Sequence, residues 1–579
     1  MVSVILRAFI PVFLLSTFYS CSTNQNDQEE VGQIVIGVKD EPYTLNPILS
    51  TASSDREIYH YVFSRLADRD YESLELKPVL LKSLPETTIN EDGSKTYDME
   101  LKGDANWDNG APLTAEDVHF TFKVAAHPGI NSPVWKALLP EIKGIELNPE
   151  NPRKFKIHSE SENFQSLEYI LSSYIFPEHI FDPNQILKNH HYNELSNPEV
   201  NSELMKDSSF VQFAKAFSSV TFSKENIQGS GPYHLETWNT GQYIVLNKKS
   251  NYWGTSYEDT DQLESYPSKI VFQFFPDLTT AITTLKNKEL DLLDLSRLPY
   301  TQFDDLKENT SFANSHNFYT PSISRYLILL LNNEDERLSE IPVRKALRHL
   351  TNVDRIVNQL EGGYGKRILS PIDSDSEDYN PDLEPSEFSI EKANQILNEA
   401  NWIDTDGDGI RDKVINGFKE DLNFRFHITG SEVSRSLSGI IKEACEEAGI
   451  SIELIIKPFG ATRAENINTG DYDITIMVKT PAPVRRDVYP SYHSNSIGSG
   501  GGNYQRYSNL EADQLMELIR GNASEDSRKK AYKRLQEIFD EEVPVIYLYS
   551  PQLKIVSSKE FDHTISSKRP GYFANAIAE

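Results

Sequence analysis

Apolar positions along the chain alternate between short continuous runs and stretches spaced every three to four residues. The run IVIGV from Ile34 to Val38, bounded by Gly32 and the polar KDEP turn, predicts a buried strand opening a first lobe. A turn follows at Asn46 and Pro47, and Ser53 or Ser54 is expected to cap a helix with Ile58, Tyr61, Val62 and Leu66 on one stripe. Asp92 and Gly93 supply a hairpin turn between alternating strands, and Thr114 caps a helix that begins AEDV, with acids where the helix dipole favours them. Residues 181–222 are polar with few apolar repeats and read as an insertion or a long helical connection. Beyond them KIVFQFFPDLTTAITTLKNKELDLLDL reads as strand, helix, strand, and RYLILLLNN as another apolar strand. This alternation continues to the VPVIYLY segment and predicts α/β lobes.

The chain has 579 residues, more than one hydrophobic core usually serves, so two or more lobes are expected. With 87 acidic against 57 basic residues the net charge is -30, which repels phosphate backbones and excludes nucleic acid as a partner. Two cysteines exclude a disulfide framework, and Cys445 shares a helical face with Ile441, Ala444 and Ala448, where packing is its expected role. At the N-terminus, Arg7 precedes an apolar run from Phe9 to Phe18, and Cys21 precedes the polar STNQNDQEE. The run is shorter than the roughly 20 residues of a spanning helix, so residues 1–20 read as a signal peptide, Cys21 as a lipid acceptor and residues 21–33 as a tether. Phe18 and Tyr19 depart from the usual aliphatic and small residues before such a cysteine, and a plain cleaved signal is the alternative. Either reading places the mature protein outside the cytoplasmic membrane.

Catalytic patterns are missing from the sequence. It contains no G-x-S-x-G elbow and no H-E-x-x-H, and GGYGK at Gly362–Lys366 is followed by Arg367, without the spacing or hydroxyl of a phosphate loop. His190 and His191 are adjacent and point to different sides of the backbone, so a metal pair is not expected. One string, DTDGDGIRD, spaces Asp404, Asp406, Asp408, Gly409 and Asp412 like calcium ligands. Its twelfth position is Ile415, which lacks the closing carboxylate, and a tight turn explains the same residues. No cofactor is expected beyond this weak calcium candidate, and no enzymatic activity.

Several strings carry a family resemblance. GPYHLETWNTGQYIVLNKKSNYWG at Gly231–Gly254 joins a Gly/Pro turn to two aromatic-rich strands. Trp107, Asp108, Gly110, Leu113, Thr114, Ala115, Asp117 and Val118 form a W-D-x-G, L-T-A-x-D-V string. Pro276, Asp277, Ala281, Leu285, Glu289 and Asp291 form another, with Lys288 at a usual glycine. In this order, together with VRKALRHLTNVDRIV and the segments through VPVIYLY, they resemble family 5 extracytoplasmic solute-binding proteins over about residues 34–556, the oligopeptide and dipeptide receptors of ABC importers.

The resemblance implies an α/β, type II periplasmic-binding-protein fold with two main α/β lobes and an additional inserted lobe. Lobe I would comprise 34–75, 222–315 and 550–579, the inserted lobe II 76–221, and lobe III 316–549. It also implies a monomer that holds an extended peptide between lobes and passes it to an ABC permease in the cytoplasmic membrane, itself anchored to the lipid bilayer on the periplasmic or cell-surface side. The matching acid for a ligand amino group is Asp487, with Arg485 and Arg486 beside it, either neutralising it or holding a ligand carboxylate; a solvated loop is the plainer reading. Matching segments add Tyr43, Thr44 and Leu45, then Ser296 and Arg297, then Asn503 and Tyr504 after the run SIGSGGG. A nonpeptide solute such as a nickel chelate, haem or an oligosaccharide stays open within the family, and a surface hydrolase or glycan-binding lipoprotein outside it.

Overall fold

The computed structural model describes residues 32–136, 142–160, 163, 165–257, 260–481, 486–498, 501–521 and 523–578. The signal segment and Cys21 lie outside the described residues, as does Arg485. Among those described, no helix is long and apolar enough to cross a membrane.

The strand Gln33–Val38 sits inside a seven-stranded sheet, with Ile34 and Ile36 fully buried. It pairs in parallel with Lys269–Phe274 on one side and Leu292–Asp294 on the other. The helix Leu278–Lys286 connects those two neighbours, and its N-cap Asp277 accepts from Thr279 N, which gives the P-D motif its physical role. Lys288, at the usual glycine, adopts φ 61°, the left-handed region that glycine enters without a Cβ penalty.

Antiparallel strands complete both edges of the sheet: Tyr233–Asn239 with Tyr243–Lys248, and Ile555–Ser558 with His316–Tyr319. The last pairing carries this sheet past residue 315, where the sequence suggested that the third lobe begins. Phe318 joins Phe303 and Phe312 in the core on the sheet's outer face, and this apolar contact holds the strand there.

The glycines before the first hairpin are explained by a close backbone approach. Gly231 N donates to Val62 O at 2.8 Å and Tyr233 N to Tyr61 O at 3.1 Å. A Cβ on Gly229 would lie 2.1 Å from Val62 O. These bonds also explain why the first helix is shorter than its apolar stripe suggested: it spans Ser53–Tyr59 with Ala52 as N-cap, and the chain then uses Tyr61 and Val62 for pairing. Gly229→Ala should destabilise the protein by about 1–3 kcal/mol, the usual cost of overpacking, read as a lower urea midpoint. An unchanged midpoint would show that the two backbones can separate freely.

Residues 76–221 carry a four-stranded sheet, Thr87–Ile89, Lys95–Glu100, Lys154–Ser159 and Gly144–Leu147, and the helix Ala115–Ala126. Thr114 caps the helix as expected, in a capping box that Asp117 completes, and Asp117 also accepts from Trp107 Nε1 at 3.3 Å, so the W-D-x-G and T-A-x-D strings brace each other. Tyr97, Phe155 and Ile157 share one continuous core with Ile34 and Ile36 of the first sheet. The polar stretch after 181 is helical, and His190 turns to Glu194, with Nδ1 and Oε2 3.0 Å apart.

The second large sheet has five strands, and the interior strand Tyr326–Leu331 is buried at all six residues. Leu327, Leu329 and Leu331 enter one core and Tyr326, Ile328 and Leu330 the other, so this strand is apolar throughout because both its faces are covered. Cys445 is fully buried, and burial pushes its thiol up to about 12, consistent with packing rather than chemistry. The chain crosses between the large sheets twice, near 320–325 and near 552–554, and the crossings touch through Leu553 N donating to Pro321 O at 3.0 Å.

Candidate functional site

Beside the two crossings lies a cavity of about 1030 Å³. One wall comes from the segment after strand Leu292–Asp294, including Ser296 and Arg297, and from the start of helix Tyr300–Glu308. The opposite wall is built from the carboxyl ends of two parallel strands of the five-stranded sheet, Asn423–Ile428 and Ile474–Lys479, and from the start of helix Glu432–Glu447. Crevices at the carboxyl ends of parallel strands are where open α/β sheets bind ligands, because the connecting loops diverge there.

The wall chemistries differ. Val433, Phe459 and Val478 line the cavity on the five-stranded side and stay 43%, 40% and 43% exposed, an apolar surface left open among the described residues. His427 lies beside them, buried, with its Nδ1 unpartnered among the described residues; burial, then Arg425 and Lys457, holds its pKa below the ordinary imidazole range. On the other side Arg297, Arg325 and Arg569 converge, although Arg297 and Arg569 lie far apart in sequence. Arg297 pairs with Asp40. Glu361, also lining the cavity, accepts from Tyr549 Oη and Lys554 Nζ, each at 3.1 Å.

A smaller cavity of about 100 Å³ adjoins it and shares Ser296, Arg297, Arg325 and Arg569. Glu57 lines this recess. Burial, then the Asp294 carboxylate, pushes the Glu57 carboxyl from 4.5 up to about 7, against the pull of Arg569 and Arg297. Between pH 4.5 and 7 the folded protein therefore keeps a proton that the unfolded chain has released, so this group's contribution to stability falls as pH rises through that window. Glu57→Gln should gain stability relative to wild type between those pH values, measured as the difference in urea midpoints; parallel profiles would refute the assignment.

The structure brings only some of the sequence-derived candidates to the large cavity. Ser296 and Arg297 line it. Asp487 and Arg486 line a separate cavity of about 310 Å³, which shares Thr480 with the large one. The Asp487 side chain is 4% exposed, pairs with Arg520 at 3.2 Å and accepts from Tyr489 N at 3.1 Å and Asn163 Nδ2 at 3.4 Å. It is thus already neutralised within the protein, by a residue 33 positions away to which no local pattern points. Arg486 donates to Ser324 Oγ and Pro371 O and lies 5.2 Å over the Tyr326 ring, which ties it to the core rather than to a solvated loop.

Tyr43, Thr44 and Leu45 do not line the large cavity: Tyr43 is 80% exposed, and Thr44 and Leu45 bond to Ser223 O. Asn503 is buried and donates to three carbonyls, Tyr492 O, His493 O and Tyr507 O, a structural clamp. The Tyr504 hydroxyl accepts from Arg463 Nη2 at 2.7 Å outside that cavity. Residues 231–254 likewise form a sheet edge and contribute nothing to its walls. Arg325, Glu361, His427 and Arg569 line the cavity without having been expected from the sequence; Arg325 alone had a local signal, a charge directly before a wholly apolar strand.

In the DTDGDGIRD loop, carboxylate oxygens of Asp404, Asp406 and Asp412 come within 4.8 Å of one another. Asp404 accepts from Gly407 N and Gly409 N, Asp408 from Ile410 N, and Asp412 from Thr405 N and Oγ1. Lys419 Nζ sits 2.5 Å from Asp406, 3.7 Å from Asp412 and 3.3 Å from Asp421. A cation of the chain thus accompanies these acids, and backbone donors engage the turn carboxylates, as in a self-satisfied turn.

The oligopeptide-binding protein AppA of Bacillus subtilis is 27% identical over 558 residues, covering 94% of this chain and 91% of that protein. The probable D,D-dipeptide-binding periplasmic protein DdpA of Escherichia coli is 24% identical over 539 residues, 91% of this chain and 90% of that one. The solved structure of Bacillus subtilis AppA in complex with a nonapeptide superposes with a TM-score of 0.68 at 24% identity, covering 95% of this chain and 99% of that one. Residues 75–500 match the model of the bacterial extracellular solute-binding proteins, family 5 Middle. The two crossings, the cavity at strand ends and this match over most of the chain lead to one assignment: the chain belongs to the bacterial extracellular solute-binding proteins of family 5.

Proposed function

We propose that this protein captures peptides in the cavity between its two large sheets and delivers them to an ABC permease, performing no chemistry itself. The observation that carries the reading is the cavity of about 1030 Å³, placed where two chain crossings let the halves hinge around a ligand. That volume stands at the upper end of the roughly 300–1,000 Å³ typical of small-molecule sites, with room for several residues of an extended peptide. The relatives AppA and DdpA, named for oligopeptide and D,D-dipeptide binding, support the same reading. The protein acts as a monomer on the outer side of the cytoplasmic membrane, held there by lipid on Cys21, with lobes I and III closing and residues 76–221 packed on lobe I. Calcium in the Asp404–Asp412 loop has no part in this function.

Native mass spectrometry of residues 22–579, followed by denaturing extraction, tests the ligand class. A mixed set of short peptides is expected; a single nonpeptide mass, such as a metal chelate, would overturn the peptide reading and leave the family assignment untouched. Cys21→Ser should move the protein from the membrane fraction to the soluble one, and its retention there would refute the anchor.

A further inference from the structure

We infer that Arg325 and Arg569 together receive a carboxylate of the bound solute, whose apolar part lies against Val433, Phe459 and Val478. The inference rests on the peptide reading for the form of the ligand. Arg325 precedes the strand Tyr326–Leu331 of one sheet, and Arg569 follows the last strand of the other, yet both line the large cavity and the recess beside it. Neither guanidinium has a hydrogen-bond or ion-pair partner among the described residues, whereas the neighbouring Arg297 is taken by Asp40.

Among the acids nearby, Glu432 lines the opposite, five-stranded wall and is exposed, and the rest are engaged. Asp294 accepts from Ser296 N and Oγ, and Glu361 accepts from Tyr549 Oη and Lys554 Nζ. Glu57 is held about half protonated near pH 7, so it supplies only part of a counter-charge. Arg325 and Arg569 thus present guanidinium donors to the cavity that no carboxylate holds at hydrogen-bond distance among the described residues, with Glu57 and Asp294 acting on Arg569 only through longer-range attraction. Planar, forked donors favour a carboxylate over a neutral carbonyl, because charge-assisted bonds to it are shorter and about twice as strong. Across the cavity, Val433, Phe459 and Val478 offer no polar side-chain partner and favour an apolar body. The favoured ligand is therefore a peptide with a free carboxylate beside an apolar side chain.

Three pools of five- to nine-residue peptides separate the sources of that carboxylate: free acids without Asp or Glu, the same sequences as C-terminal amides, and amides carrying one Asp. A fourth pool holds nonpeptide alkyl and aryl carboxylic acids. Retention by the wild type and by the Arg325→Met, Arg569→Met double variant is read by mass spectrometry, with melting curves to establish that the variant is folded.

The wild type should retain free acids at least about tenfold better than neutral amides, the scale of one charge-assisted bond, and the double variant should lose that preference. Rescue of the amides by one Asp would assign the carboxylate to a side chain; failure of rescue would assign it to the C-terminus. Equal retention of acids and neutral amides, or a preference that survives in the folded double variant, would overturn the inference and keep the peptide reading. Arginine-dependent retention of the nonpeptide acids alone would keep the carboxylate site and overturn the peptide reading. No retention of any pool would overturn both. If the double variant does not fold, Arg325→Lys and Arg569→Lys are used singly, and the loss of preference is then expected to be partial; full retention of the preference in both overturns the inference.

Discussion

Arg344→Met is expected to lower the unfolding free energy of the five-stranded half by about 4 kcal/mol, the sum of several carbonyls left without a donor. Arg344 is 3% exposed and forms no direct ion pair among the described residues, the Glu542 carboxylate acting on it only from further away; its guanidinium instead donates to four carbonyl oxygens. Two of these, Glu542 O and Val543 O, end the helix Glu525–Glu542, where carbonyls lack intrahelical partners and the dipole favours a cation. The other two, Leu338 O and Ser339 O, precede the helix Ile341–Leu350 that carries Arg344 itself.

Burial works against the charge, pulling the guanidinium pKa down to about 10. Methionine would relieve that desolvation but leave the carbonyls unpaired, at about 1–3 kcal/mol for each that water cannot reach. Loss of bonding outweighs relief because several acceptors depend on one donor. Trp402, the single tryptophan between residues 316 and 549 and fully buried, reports on this half in urea, so the measurement does not require the whole chain to unfold in one step. A change below about 1 kcal/mol, the lower bound for a single orphaned carbonyl, would refute the role.

Lys554→Met is expected to cost about 3 kcal/mol and to loosen the junction of the two halves. Lys554 leads into the last strand of the first sheet, where its backbone bonds to Leu295 N and Ser296 Oγ. Its ammonium reaches across to Glu361 at the end of helix Val353–Glu361, with side-chain exposures of 2% and 14%. Removing one member of a buried pair typically costs about 3–5 kcal/mol, because the other charge is left without compensation. The lower end applies here, since Glu361 lines the cavity and keeps the Tyr549 hydroxyl.

The double variant Lys554→Met, Glu361→Gln should recover most of the loss, a coupling that a mere packing defect would not produce. Two single costs that simply add would refute the pair's importance. Glu361→Gln alone, with Lys554 left charged and buried, should be destabilised as well.

Features set by near neighbours are legible in the sequence. The Thr114 cap and the Asp92–Gly93 hairpin depend on residues three to six positions apart, and both form. The wholly apolar RYLILLL segment signals a strand covered on both faces, and the order of motifs points to the family that matches over residues 75–500. The first helix ends earlier than its apolar stripe suggests because the Tyr61 and Val62 carbonyls accept backbone hydrogen bonds from the Gly231 segment, about 170 residues away.

The sequence by itself thus determined the elements, their order and the family, since periodicity, caps and turn chemistry act over a few residues. Apart from Ser296 and Arg297, the contents of the cavity walls were decided by the tertiary structure. Arg325 and Arg569 share a wall because the chain crosses between the sheets twice; Asp487 is neutralised because a later helix brings Arg520 to it; Asn503 clamps a loop instead of facing the cavity. Each of these depends on which distant segments meet, and a local pattern of apolar and polar residues carries the need for burial but not the identity of the partner across the fold.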